Sequence, residues 1–170
     1  MTKQIKCYNN NPTRATKPGQ RFCMDYGFVR GKEILEDDKP PSPDNTHEPL
    51  MTSKDGYNCY LLIVDEFSRY RWVFLFASKS PPTDTITTFL NKHGLPSGSK
   101  WVRRDQGGEL AKSTSIRKYI NDEKYTLEIT EAGSSFQNAI AERPRHTLAD
   151  MMHTMLSGSN LPSTYWSWEI

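Results

Sequence analysis

Residues 57 to 65 read Y-N-C-Y-L-L-I-V-D, an apolar run without alternation, and that pattern predicts a strand covered on both faces. A second run, R-W-V-F-L-F-A at 71 to 77, is rich in aromatic and β-forming residues. Only Glu66 to Arg69 separate the two, so they are expected to pair as an antiparallel hairpin, with Asp65 serving the turn. R-F-C-M-D-Y-G at 21 to 27 alternates, with Phe22 and Met24 on one face and Cys23 and Asp25 on the other, which sets Asp25 at the end of that strand. Lys100 to Asp105 and Y-T-L-E-I-T at 125 to 130 supply two more strands.

The helical positions repeat at three and four residues. Ile86, Phe89 and Leu90 share a face over 83 to 93, and Gly94 ends that helix. A moderate pattern over 109 to 119 carries Leu110, Ile116, Tyr119 and Ile120. Leu148, Met151, Met152 and Met155 recur at i, i+3, i+4 and i+7 and read as a core stripe. Pro144 fits a helix only in its first turn, so this helix is predicted to begin near Ala141 with Glu142 in that turn. A short helix with Tyr165, Trp166 and Trp168 follows Pro162. The order β-β-β-α-β-α-β-α defines an α/β fold.

Composition alters this picture at two places. Residues 1 to 20 are a basic, flexible arm without periodicity, and 31 to 55 are an acidic, proline-rich surface insertion whose seven acids face three lysines. The rest, 21 to 170, is one domain. A net charge of +2 does not announce nucleic-acid binding by itself. Cys7, Cys23 and Cys59 form no C-x-x-C pair, so neither a disulfide framework nor a zinc site is expected, and buried thiols are. No run approaches the ~20 apolar residues of a membrane span, and the first residues lack the apolar stretch of a signal peptide.

The candidate chemistry lies in W-V-R-R-D-Q-G-G-E-L at 101 to 110. Taken alone, Asp105 is an ordinary turn residue before a helix opened by Glu109. With Asp25 and Glu142 it becomes one of three acids on neighbouring elements, an oxygen set suited to Mg²⁺ and to two-metal phosphoryl transfer.

Four pieces in order, F-C-M-D-Y-G (22 to 27), L-L-I-V-D-E-F-S-R-Y-R-W-V-F-L-F (61 to 76), V-R-R-D-Q-G-G-E-L (102 to 110) and Q-N-A-I-A-E-R-P-R-H-T-L (137 to 148), resemble the catalytic core of a retroelement integrase of the copia-type branch. The resemblance implies a ribonuclease-H-like fold, a mixed five-stranded sheet flanked by helices, and makes Asp25, Asp105 and Glu142 the catalytic, metal-binding acids. It implies DNA integration with Mg²⁺ (or Mn²⁺): trimming of element ends, then strand transfer into target DNA. DNA is the expected partner, with self-association open and nuclear action implied. Lys112, Arg143, Arg145, His146 and His153 are the candidates for phosphate contact. The sequence departs from the family pattern at Gln106 (usually Asn), at Ala139 (usually Gly, in a loop thought to move over DNA) and in the order Arg145-His146. The flanking family domains are not recognisable, so a core fragment of a polyprotein or a decayed copy is expected. An inactive remnant that binds nucleic acid or self-associates, and a ribonuclease-H-type nuclease, are the alternatives.

Overall fold

The computed structural model describes residues 14–29, 51–78, 80, 82–105, 113–130 and 135–168, without the side chains of 105, 130 and 135–138. Five strands, β1 (Arg21–Phe28), β2 (Cys59–Asp65), β3 (Arg71–Phe76), β4 (Lys100–Asp105) and β5 (Tyr125–Thr130), form one mixed sheet in the order β3-β2-β1-β4-β5. Among the described residues, helices α1 (Thr83–His93), α2 (Thr114–Asp122) and α3 (Ser135–Ser159) and a 3-10 helix (Ser163–Trp168) accompany the sheet. β2 pairs antiparallel with both β1 and β3, while β4 runs parallel to β1 and β5.

Every residue of β2 is buried, as its unbroken apolar run requires. Its alternate side chains enter two cores. Leu61 and Ile63 join Phe22 and Met24 under α1 and α2, against Ile86, Phe89, Leu90, Ile116 and Ile120. Tyr60, Leu62 and Val64 meet Met152 and Leu156 of α3 and Trp166 of the 3-10 helix. The hairpin turn is built by Asp65, whose Oδ2 accepts the Ser68 N–H at 2.9 Å.

Several expectations require correction. The helix expected over 109 to 119 is α2, and Ser113, extended at φ −72° and ψ 108°, caps it by accepting the Ile116 N–H, so no helix runs through 113. Leu110 and Lys112 lie outside the described residues. α3 starts at Ser135 rather than near Ala141, which leaves Pro144 inside the helix and Glu142 beyond the first turn. The missing Pro144 N–H costs about 3 kcal/mol; fully buried Ala141, Ile140 packed into the second core, and good helix formers offset it. The buried row of α3 is Leu148, Met152 and Leu156, at i, i+4 and i+8, whereas Met151 and Met155 are 51% and 43% exposed. Met51 and Trp166 share a core cluster with Met152 and Leu156, and a helix on a sheet buries one stripe.

The segments flanking the core are partly anchored. Within the basic arm, Ala15 N–H donates to Glu66 and Gly19 N–H to Asp65. At the end of the acidic insertion, Met51 is buried in the second core and its N–H donates to Val29 O at 2.9 Å. Residues 1–13, with Cys7, and 31–50 lie outside the described residues; Cys23 and Cys59 are buried and form no disulfide among the described residues.

Candidate active site

β1 and β4 are the inner parallel pair, with Cys23 opposite Arg103 and Met24 opposite Arg104. β4 ends one residue later, at Asp105. Continuing the register brings residue 25 beside residue 105, at the ~4.8 Å spacing of neighbouring strands. β1 then goes on against β2 alone, through Tyr26, Gly27 and Phe28. Asp25 is therefore not the last residue of its strand, as the alternation suggested. It sits where the ladder between the inner strands stops, because β2 still supplies hydrogen bonds there. Such an opening at the carboxyl ends of parallel strands is where α/β sheets take ligands.

α3 crosses this opening. The Nε of Arg145 lies 2.9 Å from Asp25 Oδ2, with side chains 36% and 16% exposed. Glu142, half-buried, precedes Arg145 by three residues and so shares its side of the helix. Asp25 and the strand position of residue 105 thus lie side by side, and α3, which carries Glu142, reaches Asp25 through Arg145. The side chain of Asp105, and Lys112 altogether, lie outside the described residues. Arg143, His146 and His153 are exposed on α3, whereas Arg145, also expected to meet phosphate, is held by Asp25. Ala139 belongs to α3, not to a loop.

Among the described residues, no three His, Cys, Asp or Glu side chains are grouped to hold a metal ion. The donor chemistry nevertheless fits a hard cation: Asp25 and Glu142 offer carboxylate oxygens, and a positive group, the Arg145 guanidinium, already rests on Asp25.

Beneath the opening lies a feature that sequence reading missed. Arg21 Nη1 is 2.6 Å from Glu66 Oε2 and Arg21 Nη2 is 3.0 Å from Glu128 Oε1, while Arg103 Nη2 is 2.8 Å from Glu128 Oε2. Both arginines are buried. Two cations and two anions balance across β1, β4, β5 and the β2–β3 turn, fixing the strands that carry residues 25 and 105. The one signal for it was a pair of arginines within apolar strands, but partners so distant in sequence leave no local pattern. Cys23 sits among these charges; burial pushes its thiol up to about 12, and the nearby Arg103 charge works the other way.

This mixed five-stranded sheet with helices on both faces is compatible with a ribonuclease-H-like fold. In sequence, the chain is 28% identical over 120 residues to the retrovirus-related Pol polyprotein from transposon RE2 of Arabidopsis thaliana, a match covering 69% of this chain and 8% of that protein. It is 27% identical over 120 residues to the corresponding polyprotein from transposon RE1 of the same plant, covering 69% and 8%. It is also 27% identical over 118 residues to that from transposon TNT 1-94 of Nicotiana tabacum, covering 68% and 9%. The matched stretch thus spans less than a tenth of the length of these curated relatives. No protein-family model matches the chain. The similarities support a retroelement-derived polyprotein sequence.

Proposed function

We propose that the chain is an integrase-type catalytic core, a Mg²⁺-dependent polynucleotidyl transferase that trims DNA ends and joins them to target DNA. The observation that carries this reading is the register placing residue 25 beside residue 105 at the end of the inner ladder, with the Glu142 turn of α3 laid across it. Bound divalent ions would supply a lowered pKa for the attacking oxygen and charge neutralisation at the phosphate. Asp25, Asp105 and Glu142 would hold them. Arg143 and His146, exposed on α3, would meet DNA phosphates and offset their charge.

The test is strand transfer with oligonucleotide substrates, run beside Mn²⁺ calorimetry. Asp25→Asn, Asp105→Asn and Glu142→Gln are each expected to abolish both transfer and metal binding. Retained activity in any one removes that residue from the site. A second reading, a catalytically silent remnant, is favoured by the Arg145–Asp25 pair, since a guanidinium there competes with metal. It would show as a folded chain that binds DNA but neither Mn²⁺ nor Mg²⁺.

A further inference from the structure

An open cavity of about 380 Å³ lies at the other end of β1 from the acids. Phe22, at its base, is three residues from Asp25, roughly 10 Å along the strand, and alternation sends the two to opposite faces of the sheet. The walls are aromatic. Tyr70 is 62% exposed and leans on Trp72 with ring centroids 4.7 Å apart, and Trp72 in turn lies 5.0 Å from the ring of His93. Ser68, exposed, gives the cavity a hydroxyl.

The loop presenting Tyr70 is held firmly. Asp65 Oδ2 accepts both the N–H and the hydroxyl of Ser68, and Asp65 N–H donates to Tyr70 O at 3.0 Å. Arg69 is kept at φ 63°, a left-handed conformation costing a non-glycine residue on the order of 1 kcal/mol. Lys17, Arg69 and Lys92 each adjoin a lining residue in sequence, and all three are exposed. None is ion-paired to a carboxylate among the described residues. The lining carboxylate, Asp65, is buried at 1% exposure and occupied by its own turn.

Exposed cations alone would suit any polyanion. Exposed cations around an aromatic recess with hydrogen-bonding groups suit one whose bases are free to leave the backbone, since stacking requires an unpaired π-face. We propose that this cavity is a subsite for single-stranded nucleic acid, in which a base stacks on Tyr70 beside Trp72 while Arg69, Lys17 and Lys92 meet the adjoining phosphates. The site uses none of the three acids, so it stands or falls separately from the catalytic reading.

Fluorescence anisotropy of the full chain with a labelled oligothymidylate of about six nucleotides tests it, a length within the usual span of such sites. The wild type is expected to bind saturably, more tightly than it binds a duplex, and less tightly as salt rises. Tyr70→Ala should weaken binding about tenfold, the value of ~1.4 kcal/mol of lost stacking, and Tyr70→Phe should keep it. Arg69→Gly, whose glycine takes the positive φ freely, should preserve the turn yet lower affinity and flatten the salt dependence. Absence of saturable binding, wild-type affinity in Tyr70→Ala, or equal affinity for duplex would overturn the proposal; thermal unfolding of each variant confirms that the fold is intact.

Discussion

Arg145 holds the carboxylate that the proposed metal would need. Because the pair is partly exposed, it is worth only about 1 kcal/mol, so Arg145→Ala is expected to raise Mn²⁺ affinity about fivefold by calorimetry. Unchanged or weaker binding would mean that the guanidinium does not compete for Asp25. At this scale, legibility in the sequence follows the distance between partners. Asp65 was readable as a turn residue because its partner, Ser68, is three positions away. The Asp25–Arg145 contact was not, because only the crossing of α3 over β1 joins residues so far apart. Arg145 was therefore read as a free cation beside DNA.

At the scale of elements, β2 was legible because an all-apolar run has one comfortable place, the middle of a covered sheet. The start of α3 was misread because Pro144 argues locally for a first turn while burial of Ala141 acts from outside the segment. Ala139 follows from this: in a helix, alanine is favoured over glycine by about 1 kcal/mol, so Ala139→Gly should destabilise the protein by about that amount in urea unfolding. A stabilising effect would return the residue to a loop that needs glycine. The buried ionic quartet offers a larger effect. Glu66→Gln removes one of the two described carboxylates that pair with Arg21 and Arg103, and breaking a buried pair from one side costs about 3 kcal/mol. A loss well under 1 kcal/mol would mean that water reaches the network and screens it.

For the whole molecule, one sheet separates two cores, and each side carries a buried acid with a displaced proton equilibrium. On the α3 side, burial raises the Cys23 thiol from 9.0 to about 12. On the α1 and α2 side, burial raises the Tyr125 hydroxyl from 10.0 to about 12. Both groups gain negative charge on losing a proton, and both hold it more tightly when folded. Their contribution to stability is thus complete below about pH 9 and drains away as pH rises toward 12, with a slope of up to about 1.4 kcal/mol per pH unit per group. Cys23 contributes to the first part, between 9.0 and 10.0, whereas Tyr125 unfolds into a phenol that still keeps its proton there. Urea midpoints measured from about pH 8 to about pH 11 should fall progressively. In Cys23→Ala the fall between about pH 9 and about pH 10 should be shallower, whatever the variant's starting stability. If wild type and variant lose stability in parallel from about pH 9, some group other than Cys23 carries the early alkaline sensitivity, and the burial of this thiol beside the ionic quartet has no thermodynamic consequence for the fold.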